Sequence, residues 1–181
     1  MVIFKSEDVK SSFDGTIIDI ETIGEICRGY QDSREYKDVI PIIFGYINKD
    51  GLNIYCAKEP SSLKTLQEIV LKILPKLERP FYAFNCCFET GVLFHAWGIE
   101  ILFDYELNKE KWESKRNAVR KLNISNYDDP FYDVGRKCKE AWERGEFKKC
   151  IAHNRSCLLK EKEIVLKRGF RKPDDFILYK K

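Results

Sequence analysis

Between Thr16 and Ala57 the chain carries three short runs that extended backbone explains better than helix. Thr16, Ile17, Ile18 and Ile20 crowd β-branched side chains into the first, which ends at Glu21. Val39 to Ile47 and Leu52 to Ala57 form the second and third. Such residues fit a pleated, half-buried surface and lose rotamer freedom in a helix. Asn48-Lys49-Asp50-Gly51 joins the last two runs, and its Asp-Gly step suits a tight hairpin turn. Three strands joined in this way predict an antiparallel meander.

The pattern then changes period. Ser61 or Ser62 can cap a helix in which Leu63, Leu66, Ile69, Val70, Ile73, Leu74 and Leu77 recur at helical spacing, weakened near its end by Pro75. Phe81 to Cys86 reads as a strand after Pro80, a helix follows through Phe88–Trp97 and stops near Gly98, and Ile99 to Phe103 reads as a fifth strand. Helices are expected over about 109–122, 133–144 and 148–168. The order βββαβαβ followed by helices predicts an α/β fold with a mixed central sheet of about five strands and helices on its faces. With 181 residues and 44% hydrophobic content, the chain suits one such domain, core about 13–168, with a basic, loosely held tail from Arg171 to Lys181.

No apolar run approaches membrane-spanning length, and the start MVIFKSEDVK lacks the apolar stretch of a signal peptide, so the expected compartment is the cytosol. The seven cysteines include no C-x-x-C pair and are expected as reduced, mostly buried thiols. Charge is uneven. Residues 1–108 carry 11 basic and 17 acidic side chains, and residues 109–181 carry 21 and 12. An excess of that size can attract a polyanion, although a solvated Lys/Glu-rich surface gives the same count.

The chemistry is concentrated in three segments. Asp19 and Glu21 stand two apart on a hydrophobic strand, so both face one side while Ile18 and Ile20 face the other. Two carboxylates placed so repel each other and lose hydration unless solvent or a cation relieves them; Mg²⁺ or Mn²⁺ would do so. Glu89 falls in the first turn after the Phe81–Cys86 run, where a helix N-terminus favours an acid. His153 and Cys157 lie four residues apart on one helix face, with Glu161 one turn further.

Together these segments resemble the DEDD 3′-5′ exonuclease superfamily, closest to its compact ribonuclease-H-like branch. That branch has a D-x-E-T strand, an N-x-x-F-D segment and a Y-N-R-x-D helix. Asp19, Glu21 and Thr22 match the first. Asn85, Phe88 and Glu89 match the second, with Glu for Asp. His153, Asn154 and Arg155 match the third, with His for Tyr and Cys157 in place of the last Asp. The spacings, 70 residues from Asp19 to Glu89 and 68 from Glu89 to Cys157, also suit the family.

The resemblance implies a two-metal nuclease acting on single-stranded DNA or RNA. Asp19, Glu21 and Glu89 would ligate Mg²⁺ or Mn²⁺, and His153 would be the base or water-orienting residue. Thr22, Asn85, Phe88, Asn154 and Arg155 would border the substrate. Cys157 is a poor ligand for a hard ion, so Glu161 from the next turn, or Asp133, is a substitute to consider. Arg116, Arg120, Lys121, Arg136, Lys137, Lys148, Lys149, Arg168, Arg171 and Lys172 could track a phosphate backbone. Trp112, Phe131, Tyr132, Trp142 and Phe147 could stack a base, or simply belong to the core. Two other outcomes stay open: a catalytically impaired homologue that binds nucleic acid or a protein partner, and an unrelated α/β protein whose acids do not converge.

Overall fold

The computed structural model describes residues 1–111 and 113–179. Strands β1 (Val2–Glu7), β2 (Thr16–Gly24), β3 (Val39–Asn48), β4 (Gly51–Ala57), β5 (Phe81–Ala83) and β6 (Tyr105–Glu106) form one mixed sheet in the order β1-β4-β3-β2-β5-β6. β1 pairs antiparallel with β4, β4 with β3 and β3 with β2, which is the expected meander with one more strand at its edge. β2 pairs parallel with β5, and β5 with β6. Five α-helices cover the sheet: α1 (Leu63–Ile73), α2 (Cys86–Trp97), α3 (Lys115–Lys121), α4 (Gly135–Glu143) and α5 (Phe147–Arg168).

Two apolar layers hold the helices on. One joins Ile18, Ile20 and Phe44 to Leu66 and Val70 of α1 and to Val92, Leu93 and Trp97 of α2. The other joins Ile17, Ile43 and Ile47 to Ala118 of α3, Cys138 and Trp142 of α4, and Ile151 and Leu158 of α5. Ile17 and Ile18 are fully buried in different layers, as period-two alternation requires of a central strand covered on both sides. α5 crosses the sheet at Gly45, opposite Asp19 in the ladder. A Cβ there would lie 2.1 Å from Asn154 Oδ1, so the close approach requires glycine.

Several expectations are corrected. The sheet has six strands, not about five, because Val2–Glu7 adds an edge. Ile99–Phe103 is not a strand. Its odd positions are buried, but pairing with β5 begins only at Tyr105. Residues 84–86 leave the strand early, since Cys86 already starts α2. The helix expected from 109 begins at Lys115, capped by the Ser114 hydroxyl, which accepts from Asn117 N. The tail is docked rather than loose: Arg171 exchanges two backbone hydrogen bonds with Glu106, and Ser33 N donates to Ile177 O at 3.0 Å. Trp112, Lys180 and Lys181, which belong to the stacking and tail expectations, lie outside the described residues. Among the described residues no helix is long and apolar enough to cross a membrane.

Candidate functional site

Alternation along β2 puts Asp19 and Glu21 on the Ile17 face, beneath α5, as the sequence predicts. The β2–β3 register shifts between Glu21 and Thr22. Next to this irregular end of β2, β5 hands over to α2, whose first turn carries Glu89. Carboxyl ends of adjacent parallel strands are where α/β sheets open crevices, and a cleft of about 950 Å³ lies here. Asp19, Glu21, Thr22, Asn85, Phe88, Glu89, His153 and Cys157 all line it. Three segments that are about 70 residues apart in the chain therefore meet.

Two of the candidates do not line it. Asn154 is fully buried behind the cleft, where its Nδ2 donates to Asp19 Oδ2 at 2.7 Å and to Asp19 O at 3.3 Å. It positions Asp19 rather than a substrate. Arg155, one residue further round the helix, donates through Nε to Glu7 of β1 at 2.7 and 2.8 Å, which ties α5 to the edge strand. The expectation that Arg155 borders substrate is not met.

Buried charge dominates the site. Asp19, Glu21 and Glu89 are 4–8% exposed and Glu161 is fully buried. Lys115 of α3 reaches in between two of them, with Nζ 2.7 Å from Asp19 Oδ1 and 2.6 Å from Glu161 Oε1. Glu161 thus enters the acidic group from the turn after Cys157. Glu89 Oε2 is buried with no hydrogen-bond partner. Burial, then repulsion from Asp19 and Glu161, raises the Glu89 carboxyl well above its usual range. Burial, opposed by His153 and assisted by Asp19, pushes Glu21 up to about 7. Burial, eased by Lys115 and reinforced by Asp19, pushes Glu161 up to about 8. Burial outweighs the relief that Lys115 and His153 give, so each of these three acids favours its protonated form more than a free carboxyl does.

A second network backs His153. Its Nδ1 lies 2.7 Å from Asp129 Oδ1 and its Nε2 lies 3.6 Å from Glu21 Oε1. Asp129 is itself fixed by Lys160 Nζ at 2.8 Å and by the backbone N–H groups of Phe131 and Asp133, both at 2.9 Å. Burial would lower the His153 pKa, but Glu21, Cys157 and Asp129 push it up to about 12. Burial would raise Asp129, but hydrogen bonds from His153 and Lys160 hold it well below the usual carboxylate range. Glu21, Cys157 and Asp129 thus favour the charged imidazolium of His153. Asp133, a substitute considered from sequence, lines the cleft but is paired with Lys160 at 2.7 Å.

Lys115, Asp129 and Lys160 escape the sequence reading. Lys115 and Lys160 belong to strongly charged stretches that look like solvated surface, and Asp129 to a polar, turn-rich segment. The basic residues put forward for phosphate tracking are mostly elsewhere. Only Arg136 of the ten lines the cleft, while Arg168 forks onto Glu113 and Arg171 onto Asp174. Phe131 and Trp142 are core residues.

No family model, curated protein or solved structure matches this chain. The chemistry of the site therefore rests on its own donors. Asp19, Glu21 and Glu89 offer oxygen ligands of the kind a hard divalent ion takes, and Glu89 Oε2 lacks a hydrogen-bond partner, but among the described residues the His, Cys, Asp or Glu group whose ligand atoms all lie within 4.8 Å of one another is Glu21, His153 and Cys157. A second such ion fits less well, because a thiol stands where the fourth carboxylate is expected and an ammonium already bonds Asp19.

Proposed function

We propose that this chain is a divalent-metal-dependent nuclease of the ribonuclease-H-like, DEDD exonuclease type, hydrolysing terminal phosphodiesters of single-stranded DNA or RNA from the 3′ end. One observation carries the reading. Asp19, Glu21 and Glu89 line one cleft, with Glu161 buried near Asp19, and Lys115 is the only lysine or arginine among the described residues in ion-pair contact with any of them. Four acids sharing so little positive charge form an electrostatic deficit that a divalent ion would fill. The six-stranded mixed sheet flanked by helices is of the general α/β class that this reading requires.

Asp19, Glu21 and Glu89 would hold Mg²⁺ or Mn²⁺. An ion bound there supplies a water of lowered pKa and charge stabilisation at the phosphate. The remaining work belongs to the chain. Asn154 and Lys115 fix Asp19 from two sides. Phe88, Thr22 and Asn85 border the space for a terminal nucleotide, and Arg28 and Arg136 stand at its rim for phosphate. Hydrolysis breaks the P–O3′ bond and releases a nucleoside 5′-monophosphate. Seven unpaired thiols suit a reducing compartment such as the cytosol.

A second reading is a homologue that binds nucleic acid or a protein partner without cleaving it. The Lys115 ammonium on Asp19, with a thiol at position 157, favours it. A single-stranded oligonucleotide labelled at its 5′ end separates the two. With Mn²⁺ or Mg²⁺ the wild type is expected to shorten it stepwise from the 3′ end, and Asp19→Asn to be slower by about 100-fold or more, the scale of losing one transition-state contact. Equal degradation by both proteins would point to a contaminant. Tight retention of an intact strand would install the second reading.

A further inference from the structure

Cys157 is a misfit for magnesium, but its neighbours make sense of it for another ion. His153 Nε2 lies 3.6 Å from Glu21 Oε1 and 3.9 Å from Cys157 Sγ, and the three donor atoms all fall within 4.8 Å of one another. Tetrahedral zinc with bonds of about 2.0–2.3 Å separates its ligand atoms by roughly 3.3–3.8 Å. Two of the three spacings already stand within about 0.3 Å of those values. Closing the third needs a small rotation of side chains.

The outer arrangement is that of a built histidine ligand. Asp129 at 2.7 Å holds Nδ1, which leaves Nε2 facing the other two donors. Ligating histidines carry such a carboxylate behind the ring to set tautomer and orientation. Asp129 is held in turn by Lys160 and by two backbone N–H groups. His153 and Cys157 are 2% and 3% exposed, and Glu21 is 8% exposed. Among the described residues no hydrogen bond reaches the Glu21 carboxylate, and its one ion pair is with His153. A carboxylate more than nine-tenths buried thus points at an imidazole and a thiol, and all three line an open cleft. Carboxylate and thiolate together balance a divalent charge, and the cleft leaves a fourth position for water or substrate.

We propose that Glu21, His153 and Cys157 form a site for a borderline-soft divalent ion of the zinc type, with Asp129 orienting His153 and an exchangeable fourth ligand facing the cleft. The site shares Glu21 with the oxygen set of Asp19 and Glu89, and in that sense rests on the nuclease reading; its affinity for metal does not. Binding displaces whatever protons the Glu21, His153 and Cys157 donor atoms carry, all released to solvent, with no change in oxidation state.

Cobalt(II) is the probe, since it takes zinc sites and reports thiolate ligation by a sulfur-to-cobalt charge-transfer band. The full chain, stripped with a chelator, is expected to show that band saturating at one equivalent, with tetrahedral visible absorption, and to lose it on addition of one equivalent of Zn²⁺. Cys157→Ser should abolish the band while circular dichroism stays that of wild type. Asp129→Asn should retain the band and weaken the affinity about 10–100-fold, the cost of an outer-shell partner. Cys27→Ser and Cys87→Ser, at the two thiols that are not fully buried, should change neither. Absence of the band at one equivalent, or its survival in Cys157→Ser, overturns the proposal. The nuclease assay stays separate: metal-dependent cleavage without the band removes this site and leaves the nuclease, and the band without cleavage does the reverse.

Discussion

Around the cleft, three cationic side chains are each shared between two acids. Lys115 lies between Asp19 and Glu161, His153 between Glu21 and Asp129, and Lys160 between Asp129 and Asp133. Lys115 matters most to the cleft, because its removal would leave two buried carboxylates facing Glu89 with nothing between them. Breaking a buried ion pair from one side costs about 3–5 kcal/mol, since the orphaned charge stays behind. Lys115→Met is therefore expected to lower stability in urea by about that amount, and Glu161→Gln in the same chain to recover part of it. Millimolar Mn²⁺ should recover more in Lys115→Met than in wild type, the ion standing in for the ammonium. A Lys115→Met protein as stable as its parent would mean that these acids are not charged in the fold. The sequence hides this residue: Lys115 is 96 positions from Asp19 and sits in the run Lys109-Glu110-Lys111 to Lys115-Arg116, which reads as wetted surface. Glu161 is more legible, because helical spacing from Cys157 alone puts it on the right face.

Elements were legible where a residue pattern and its partner coincide. β2, β3 and β4 are long, β-branched and joined by a hairpin, so local pattern and ladder agree. β1 is hidden in the sequence because Val2, Ile3 and Phe4 are followed at once by Lys5, Ser6 and Glu7, with no alternation, and the segment gains its strand character from pairing with β4. Ile99–Phe103 shows the converse. It alternates buried and exposed residues like a strand, yet the three-residue β5 aligns Tyr105 and Glu106 with Tyr82 and Ala83 instead. The crossing of α5 over the sheet depends on Gly45, which the sequence offers without comment. An alanine there would force its Cβ against Asn154 Oδ1 at 2.1 Å, and Asn154 is the residue that steadies Asp19. Gly45→Ala is expected to cost about 1–3 kcal/mol, the scale of overpacking a tight core. It should also weaken metal binding, read by thermal melting with and without the ion. Gly135→Ala, where a Cβ meets nothing within 4 Å, is the matched control and should be close to neutral. Equal effects of the two substitutions would dissociate helix docking from the acidic site.

At the scale of the whole molecule, the buried acids set the direction in which stability varies with pH. Glu21 is raised from 4.5 to about 7 and Glu161 to about 8, so between about pH 4.5 and those values the folded chain keeps protons that the unfolded chain has lost. Stability then falls as pH rises, and the Glu21 shift alone corresponds to about 3 kcal/mol over that window. His153 acts in the same sense. Raised from 6.5 to about 12, it contributes stability in full below about pH 6.5 and loses it on the way up. Asp129 runs the other way, with stability present above its unfolded value of 3.8 and lost only in acid. Melting of chelator-treated protein should therefore occur several degrees higher at about pH 5.5 than at about pH 8.5, by circular dichroism at fixed salt. A divalent ion prefers the deprotonated acids, so saturating Mn²⁺ or Zn²⁺ should raise the alkaline melting point more than the acid one and flatten the slope. A metal-free melting point that climbs with pH would show that the carboxyls of β2 and α5 are not forced together, and the cleft would lose the charge deficit on which a metal depends.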